Sequence, residues 1–433
     1  MSLTTIGVLG ILALVALFFS RMPVAYVMAL VGFLGFSLVR GPEAGLKLLA
    51  RDFYSVYSSY GLTIIPLFIL MGQIAFNAGI SRRLYDTAYR FTGSVRGGLA
   101  MATVCACTAF GAVCGSSPAT AATMATVGLP EMRRYGYDPE LATGTVASGG
   151  GLGMLMPPSV VLIVYGVLTE QSIGKLFVAG VIPSLVITVL FVLTVSYMCW
   201  RRPQLGPAGE RFTWAQKLSS LNNLYEILAV FALVMGGLFW GLFTPTEAGG
   251  VGAAGVLIAA LARRQLAWSQ FVKSLHETLR TSCMVLILVA GAVIFGHFLA
   301  VTGIPTAVAL LVGGLPLPGW GIVFMVVLVY LIGGCFIDAL ALIMLTIPIF
   351  YPVITGLGYD PVWFGVIIVL VTQMGVITPP VGINVYVVHG VDRRTPLEVI
   401  FRGSMPFLFA LLIGTALMTF FPAIITWLPE LMY

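Results

Sequence analysis

Oxygen-bearing side chains stand at two places where this 433-residue sequence is otherwise apolar. One is Asp338, a lone carboxylate in GGCFIDALALIML, and the other is the hydroxyl cluster Ser116, Ser117 and Thr120 in GAVCGSSPATAATM. Carboxylate, hydroxyl and carbonyl oxygens are the ligands that hard metal cations prefer. These residue types therefore indicate cation binding in an apolar environment. The alternative for the hydroxyl cluster is that Ser and Thr bond back to the carbonyls of their own helix.

Two pairs of successive prolines could add backbone oxygens to the same chemistry. Pro157-Pro158 lies in GGLGMLMPPSVVL, and Pro379-Pro380 lies 222 residues later in QMGVITPPVGINV. Because proline has no N–H, the helical carbonyl four residues before it loses its donor. The residues before the pairs, Met156 and Thr378, are expected to be extended. A cation is one partner for the freed carbonyls, and neighbouring side chains are the alternative. The four carbonyls are those of Gly153, Met154, Gly375 and Val376.

The composition places these residues in a membrane protein. The chain is 59% hydrophobic and 9% charged, and its mean hydropathy is +1.04. Segments of about 17 to 25 apolar residues span a hydrocarbon core about 30 Å thick, and about a dozen such segments or half-segments follow one another. The expected fold is an all-α polytopic membrane protein. The net charge of +6 then concerns orientation in the membrane, and no nucleic-acid partner is expected.

Only one of the 16 acidic residues, Asp338, falls well inside a predicted span. A carboxylate at that depth costs about 3 kcal/mol on insertion scales, so it is expected to face a cavity or a cation. A satisfied structural aspartate is the alternative. His297, which lies in another span, is expected to be a hydrogen-bonding core side chain.

The basic residues predict the orientation of the spans. The pattern requires two re-entrant hairpins, 98–132 and 318–355, each followed by a proline-broken helix, 142–168 and 361–390. With the N-terminus outside, all but four of the 22 Lys and Arg residues fall on the inner side. Because Lys and Arg concentrate in cytoplasmic loops, this orientation is favoured, and both termini are expected to be periplasmic. The four exceptions are Arg40, Lys47, Arg51 and Lys175.

An internal repeat accounts for the two hairpins. Matching residues recur 222 positions apart: Gly136 and Gly358, which both open GYDP, Pro130 and Pro352, and Gly111 and Gly333. The first GYDP is assigned to the inside and the second to the outside, so the two halves are predicted to be inverted. Inverted repeats with broken helices at matching positions are typical of secondary transporters, whose sites lie between the halves.

The repeat divides the chain into four predicted parts. Two of them are scaffold regions, each with an amphipathic interfacial arm, at 43–60 and 268–281. The other two are the repeats, each with a hairpin and a broken helix. In chain order the parts are scaffold helices and the first arm at 1–60, the first repeat at 61–200, further scaffold helices and the second arm at 201–280, and the second repeat at 281–433.

Several stretches together resemble one family, the large membrane (DctM-like) subunit of tripartite ATP-independent periplasmic (TRAP) transporters, within the elevator-type ion transporter superfamily. These stretches are GSSPATAATMATVGLPEM with MPPS, FTPTEAGGVGA, and TQMGVITPPVGINVYV. The resemblance spans essentially the whole chain. It implies an elevator transporter that takes up a small organic anion, such as a C4-dicarboxylate, sialic acid or another carboxylate, with two or more sodium ions and no organic cofactor.

The resemblance also implies partners. A small membrane subunit of about four helices is expected beside the chain, and a periplasmic substrate-binding protein is expected to deliver the anion. The expected location is the bacterial inner membrane, with contact to the lipid bilayer around the spans.

Two sodium sites and a substrate site are expected where the hairpins meet the broken helices. The first sodium site would use Gly115, Ser116, Ser117, Thr120, Gly153, Met154, Met156 and Pro157. The second would use Gly334, Cys335, Asp338, Gln373, Gly375, Val376, Thr378 and Pro379. The substrate would contact Ser117, Pro118, Thr120, Ser159 and Asn384.

Two other classes of protein remain open at this point. A stand-alone ion-coupled anion transporter or channel of the same superfamily would share these features, because a missing partner leaves no mark in one chain. A membrane enzyme is disfavoured: the sequence holds no H-E-x-x-H pair, no phosphate-binding P-loop and no second membrane-embedded acid beside Asp338.

Overall fold

The computed structural model describes residues 2–18, 20, 22–222, 224–313 and 318–432, and its regular structure there is helical. The first eleven helices are α1 (Leu3–Phe18), α2 (Val24–Arg40), α3 (Pro42–Tyr57), α4 (Ile64–Asn77), α5 (Ile80–Thr92), α6 (Gly98–Cys114), α7 (Ser117–Arg134), α8 (Pro139–Gly150), α9 (Leu152–Leu155), α10 (Val160–Thr169) and α11 (Ile173–Arg201). The others are α12 (Trp214–Leu221), α13 (Tyr225–Phe239), α14 (Pro245–Ala262), α15 (Trp268–Thr302), α16 (Ile304–Gly313), α17 (Gly319–Gly334), α18 (Ala339–Gly356), α19 (Pro361–Gly375), α20 (Ile383–Val391), α21 (Leu397–Phe420) and α22 (Ala423–Met432). Two short 3₁₀ turns occupy Tyr60–Thr63 and Pro203–Leu205.

The helices have the lengths that a bilayer requires. Within the described residues, seven spans are long and apolar enough to cross a membrane, and eight if the bent pair α12 and α13 is counted as one. The broken span 139–169 is the most protected of the seven, with 89% of its apolar window buried in the protein. Non-helical backbone at membrane depth is tolerated only where protein or a water-filled cavity covers it. The expected polytopic membrane protein is confirmed.

Most of the helices form two packed groups. We call α1–α4 and α13–α15 the frame, in which α15 packs against α2 and α4, and α14 packs against α4 and α13; α5 packs against α6 and α12, and α16 packs against α18. Small residues permit the closest of these contacts: a Cβ on Gly32 of α2 would lie 2.8 Å from the Phe295 Cα of α15. We call α6–α11 and α17–α22 the hairpin block, in which α8 packs against α7 and α21, and α19 packs against α17.

Equivalent helices of the hairpin block begin and end at a constant separation. Helix α7 spans 117 to 134 and α18 spans 339 to 356, so both ends lie 222 residues apart. The starts of α8 and α19, Pro139 and Pro361, are separated by the same 222 residues. The spacing noted in the sequence is therefore also a spacing of helix boundaries.

One predicted element differs from the structure, and two helices were not predicted. The stretch 268–281 is not a separate interfacial helix, because α15 continues without interruption over 35 residues to Thr302. At 1.5 Å per residue it is about 52 Å long, which exceeds the hydrocarbon core. No glycine or proline interrupts it before Gly291, whereas the arm in the first half, α3, ends at Tyr57, shortly before Gly61. Helices α5 and α16 were not among the predicted spans.

Several helix ends that the charge pattern assigns to the inner side of the membrane form ion pairs with one another. Glu226 at the start of α13 pairs with Arg83 of α5 at 3.4 Å and with Arg263 after α14 at 2.5 Å. Arg133 at the end of α7 pairs with Asp392 after α20. Arg21, which the pattern also assigns to the inner side, lies outside the described residues.

Candidate functional site

The tip of the first hairpin is a two-residue turn between α6 and α7. Gly115 ends α6 with a φ of 64°, the left-handed region that favours glycine, and Ser116 is extended. Pro118 occupies the first turn of α7, where its missing N–H costs nothing. The fully buried Thr120 hydroxyl donates to the Ser116 carbonyl at 2.8 Å, which fixes the tip.

This tip is bonded to the break of the first broken helix. Met156 is extended, with φ −69° and ψ 125°, as predicted for a residue before proline. The Val160 N–H donates to the Gly115 carbonyl at 3.3 Å. Gly111 of α6 and Gly153 of α9 lie so close that a Cβ on Gly111 would be 2.8 Å from the Gly153 Cα. Glycine is needed at this crossing because the two backbones touch.

The tip of the second hairpin is longer and carries the carboxylate. Four residues, 335–338, separate α17 from α18, and Asp338 caps α18 by accepting the Leu340 N–H at 3.1 Å. The Cys335 carbonyl accepts the Val381 N–H of the second break at 3.2 Å. Gly334 approaches Gly375 as Gly111 approaches Gly153. The two units therefore share a backbone plan but differ in the groups at their tips.

Three of the four carbonyls predicted to be free have protein partners. The Met154 carbonyl accepts the Ser159 hydroxyl, the Gly375 carbonyl accepts the Thr378 N–H at 3.1 Å, and the Val376 carbonyl accepts the Asn384 N–H at 3.0 Å. For these three oxygens the alternative of protein partners is therefore borne out, because the residues of each break fold back onto the helix that precedes it. Carbonyl oxygens have two lone pairs, so this bonding leaves room for a further ligand.

Asn384 links the two units. It is fully buried; its amide nitrogen donates to the Ala147 carbonyl of α8 at 2.9 Å, and its amide oxygen accepts the Ser117 hydroxyl at 3.0 Å. One side chain of the second broken helix thus holds both the hairpin and the broken helix of the first unit. Asn384 was predicted as a substrate contact, and in this structure its polar atoms bond to protein.

Both tips face one cavity of about 290 Å³ between the hairpin block and the frame. The first hairpin contributes Ser116, Ser117 and Pro118, and the second contributes Asp338. The frame closes the cavity with residues of α4 and α15. The first broken helix contributes Met154, Val160 and Val161, and the second contributes Val376. The frame residues include Gly72, Gln73, Thr281 and Met284.

The cavity has an unusual charge balance. Among the described residues that line it, Asp338 is the one charged side chain. The carboxylate lies at the start of α18, where the positive end of the helix dipole favours a negative charge. A site of this kind attracts a cation and repels an anion unless a cation is also present.

Four predicted ligands lie away from the cavity. The Met156 sulfur accepts the Ser184 hydroxyl of α11 at 2.9 Å, Pro157 packs near Gly180 of the same helix, and Pro379 is exposed. Gln373 packs against Gly151, its counterpart 222 residues earlier, between the two broken helices. Its amide oxygen and nitrogen are both buried without a hydrogen-bond partner among the described residues.

The remaining predicted residues occupy the junctions described above. Ser159 caps α10 by accepting the Leu162 N–H at 3.3 Å, and the Thr378 hydroxyl donates to the Met374 carbonyl at 2.7 Å. Both therefore act within their own breaks in this structure.

Sequence reasoning missed the frame side of the site and a second buried acid. Gln73 and Thr281 face the cavity, yet each lies inside an unbroken helix, α4 or α15, so no helix break marked it. Asp52 of α3 is 1% exposed and lies 2.7 Å from His297 Nδ1, which confirms His297 as a hydrogen-bonding side chain. The signal for Asp52 was its spacing: it stands four residues from Leu48 and from Val56 on the buried face of α3.

The bases of the two hairpins lie at opposite ends of the broken helices. The first hairpin ends at Arg134, just before the first broken helix begins at Pro139. At the far end of that broken helix, the Gln171 amide donates to the Tyr351 hydroxyl of the second hairpin at 3.0 Å. The hairpins therefore approach the cavity from opposite directions.

A charged contact fastens the base of the first hairpin to the second unit. The Arg133 guanidinium and the Thr395 hydroxyl donate to the Asp392 carboxylate, which is 5% exposed. Burial raises the pKa of Asp392, but the hydrogen bonds from Arg133 and Thr395 outweigh it, so the pKa lies below its ordinary value of 3.8. Asp392 is therefore ionised at neutral pH.

The chain is similar to known transport proteins over nearly its whole length. Residues 11–424 match the model of the family described as the DctM component of the tripartite ATP-independent periplasmic transporter. The C4-dicarboxylate TRAP transporter large permease protein DctM of Pseudomonas aeruginosa is 37% identical over 394 residues, which cover 91% of each chain. The isethionate TRAP transporter permease protein DctMQ of Oleidesulfovibrio alaskensis is 34% identical; the match covers 90% of this chain and 61% of that one.

A solved structure shares the fold at low sequence identity. The YdaH transporter of Alcanivorax borkumensis superposes with a TM-score of 0.61 at 16% identity, over 88% of each chain. The family match covers residues 11–424 and so includes both hairpins and both broken helices. Glycines line the contacts between these hairpins and broken helices. The chain belongs to the family of DctM components, the large permease proteins of tripartite ATP-independent periplasmic transporters.

Proposed function

We propose that this permease carries a small organic anion into the cell together with sodium ions, by an elevator movement of the hairpin block against the frame. One observation carries the proposal: two opposed hairpin tips, each bonded to a helix break, face a single cavity that holds a carboxylate and, among the described lining residues, no Lys, Arg or His. An anion entering beside Asp338 requires compensating positive charge, which bound sodium would supply.

The sodium ions would bind at the two junctions of tip and break. At the first junction, the Ser116 and Ser117 hydroxyls and the carbonyls near Gly153 offer neutral oxygens. At the second, Asp338 offers a charge, and the carbonyls near Gly375 offer further oxygens. The unpartnered Gln373 amide supports a polar ligand between the broken helices, because buried polar groups in native proteins almost always have one.

The arrangement of helices supports movement of the hairpin block as a unit. Each hairpin is bonded to its own broken helix, and Asn384 and the Arg133–Asp392 pair join the two units. The equal spacing of helix boundaries and the opposed hairpins support an inverted repeat, for which alternating access is a movement of one bundle against the other. With cations bound the block would cross the membrane with its buried charge compensated, and without them it would not.

The partners follow from the family. The name DctMQ of the isethionate relative, together with its greater length, supports a small membrane subunit, of about four helices, associated with this chain. A periplasmic substrate-binding protein would deliver the anion. We place the permease in the inner membrane of a bacterium with both termini on the periplasmic side.

The substrate is a small organic acid. The relative that is 37% identical is named for C4-dicarboxylates and the relative that is 34% identical for isethionate, which is a small sulfonate. A cavity of about 290 Å³ suits molecules of this size. A C4-dicarboxylate is the first substrate to test.

Uptake into liposomes containing the purified complex tests sodium coupling. We expect uptake to require sodium and to rise more steeply than a hyperbola as sodium increases. Replacing Ser116 and Ser117 together by alanine should raise the sodium concentration for half-maximal uptake and reduce the steepness. The matched control is Thr126→Ala, an exposed hydroxyl on the same helix. A hyperbolic dependence in the unmodified protein would contradict coupling to more than one ion.

Sided labelling tests the inversion. Arg134 and Gly356 end α7 and α18, and both are exposed. In a background without the native cysteines, we expect Arg134→Cys to react with an impermeant thiol reagent only from the cytoplasm and Gly356→Cys only from the periplasm. Labelling of both from one side would exclude inverted hairpins.

Omission of the partners tests the stand-alone alternative. Candidate periplasmic binding proteins, each loaded with its ligand, are added to liposomes that contain the permease with or without the small subunit. We expect uptake only when all three components are present. Sodium-driven uptake by the permease alone would favour a self-sufficient transporter.

A further inference from the structure

An apolar groove runs along the surface of the hairpin block between α11 and α21. It encloses about 560 Å³ and shares no lining residue with the cavity between the hairpin tips. Large apolar side chains form its walls, and many of them are exposed; Leu193, Phe409 and Ile413 are 57%, 63% and 61% exposed. The groove is therefore open to whatever surrounds the protein at membrane depth.

The groove leads into a basic pocket at one end. This second cavity encloses about 490 Å³ and shares Tyr197, Met198 and Pro406 with the groove. Arg201 and Arg202 at the end of α11 line the pocket, and Arg402 of α21 lines the adjoining part of the groove. The arginines belong to the end of the helices that the charge pattern assigns to the cytoplasmic side.

Aromatic residues mark the same depth. Tyr197 is 55% exposed and Trp200 is 75% exposed, and Tyr and Trp concentrate where the hydrocarbon meets the headgroups. The Arg201 Nε donates to the Tyr197 hydroxyl at 3.1 Å. The basic pocket thus lies at headgroup level, and the apolar groove extends from it into the hydrocarbon.

The charge of the pocket is not neutralised by ion pairs. None of the ion pairs among the described residues involves Arg201, Arg202 or Arg402. Glu140 is the one carboxylate among the lining residues. Three guanidinium groups therefore face one carboxylate, and the excess of positive charge favours an anionic ligand.

We propose that this groove is a binding site for one phospholipid of the cytoplasmic leaflet. The acyl chains lie along α11 and α21, and the phosphate lies among Arg201, Arg202 and Arg402. Basic pockets on the cytoplasmic side of membrane helices bind anionic headgroups in this way. A protein helix is the poorer occupant, because close helix packing in membranes favours small residues and the groove walls are Leu, Tyr, Met and Phe side chains.

Native mass spectrometry of the purified, delipidated protein titrated with phosphatidylglycerol tests the proposal. We expect one tightly bound lipid. The double variant Arg202→Gln/Arg402→Gln should bind it at least ~10-fold more weakly, because hydrogen bonds to charged groups are worth more than one decade of affinity. The matched control, Arg211→Gln, removes an exposed arginine of the same predicted side that does not line either cavity. Equal loss in both variants, or none in the double variant, would overturn the proposal.

A second variant tests the apolar part of the groove. Thr194→Trp fills it with a bulky side chain and should also weaken binding, whereas Leu228→Trp, on the exposed face of α13 in the frame, should not. Glycerol phosphate, which has the headgroup chemistry but no acyl chains, should not compete at equal concentration. Full competition by glycerol phosphate, or unchanged binding to Thr194→Trp, would reduce the site to a phosphate-binding patch and contradict a lipid groove. Gel filtration of each variant confirms that it remains folded.

Discussion

The first hairpin with its broken helix and the second hairpin with its broken helix share one backbone plan and carry different chemistry. In the first unit the tip is two residues long, its side-chain oxygens are the neutral hydroxyls of Ser116 and Ser117, and the break around Pro157-Pro158 is buried. In the second unit the tip is four residues long, its side-chain oxygens are those of the Asp338 carboxylate, and Pro379-Pro380 are exposed.

Both units have the same backbone contact between hairpin and broken helix. In both units glycines let a hairpin touch a broken helix, and one backbone hydrogen bond joins tip to break. The two units differ in the charge of the side chains at their hairpin tips. A neutral set of oxygens leaves a bound cation's charge in place, whereas a carboxylate compensates it. In the proposed sodium-coupled mechanism the two units would therefore have unequal roles: the second would carry the compensating charge, and the first would provide neutral ligands.

The largest expected effect follows from removing the charge. Asp338→Asn keeps a helix-capping residue of the same shape, so the hairpin should still fold. We expect sodium-driven uptake to fall roughly 10- to 100-fold, because a hydrogen bond or contact to a charged group is worth about 1.5–3 kcal/mol. Uptake in liposomes across a range of sodium concentrations measures the effect.

A matched aspartate provides the control. Asp138 caps α8 by accepting the Glu140 N–H, also two residues on, at 2.8 Å, and it does not line the cavity. Asp138→Asn should leave uptake within about twofold of the unmodified protein, which is within about 0.5 kcal/mol. If both variants lose uptake equally, then capping and not charge explains the role of Asp338.

The next effect concerns the contact that the two units share. A Cβ at Gly375 would lie 2.7 Å from the Gly334 carbonyl oxygen, and a Cβ at Gly153 would lie 2.8 Å from the Ser116 carbonyl oxygen. We expect Gly375→Ala and Gly153→Ala each to destabilise the protein by about 1–3 kcal/mol, as overpacking does, and to lower its melting temperature. Gly390→Ala, in α20 with open space around it, is the control and should be neutral or stabilising. A melting temperature that falls for only one of the two would show that the units do not share the contact.

A smaller effect should separate the two serines of the first tip. Ser117 bonds to Asn384, so Ser117→Ala leaves a buried amide oxygen without its donor, at a cost of about 1–3 kcal/mol. Ser116 has no side-chain cap bond at the start of α7, so Ser116→Ala should leave the melting temperature unchanged and raise the sodium requirement. Thermal melting and sodium-dependent uptake, measured on both variants, distinguish the two roles. Equal melting temperatures would contradict the link through Asn384.

The smallest effect is a pH dependence at the link between the units. The folded pKa of Asp392 lies below its ordinary value of 3.8, so the Arg133–Asp392 pair contributes stability above that value. The contribution is lost as the pH falls through the folded pKa. We expect about 1 kcal/mol, because Arg133 is partly exposed. The decline in melting temperature below pH 3.8 should be smaller in Asp392→Asn than in the unmodified protein. An equal decline in both proteins would contradict a contribution of the Arg133–Asp392 pair to stability.

The local features of the fold could be predicted from the sequence because they depend on residues near one another in the chain. The apolar segment after the FTPTE stretch lies in helix α14, Pro245–Ala262, which a capping box of Thr244 and Glu247 starts. The hairpins and broken helices were found from glycine and proline breaks, and Asp338 from its place in an apolar segment. Apolar length, proline chemistry and charge asymmetry act within a few turns of helix, so they can be identified without tertiary contacts.

The partners of those features were decided by the tertiary structure alone. Asn384 bonds to Ser117 across 267 residues, His297 to Asp52 across 245, and Gln373 meets Gly151 where the two broken helices cross. The carbonyls that the prolines freed gained donors from the folded breaks, which no count of missing N–H groups could show. Spacing determines which groups are left without a helical partner, whereas the partner that each one finds depends on which distant backbones are brought into contact. Where the two units cross, their packing against each other determines the partner of each group.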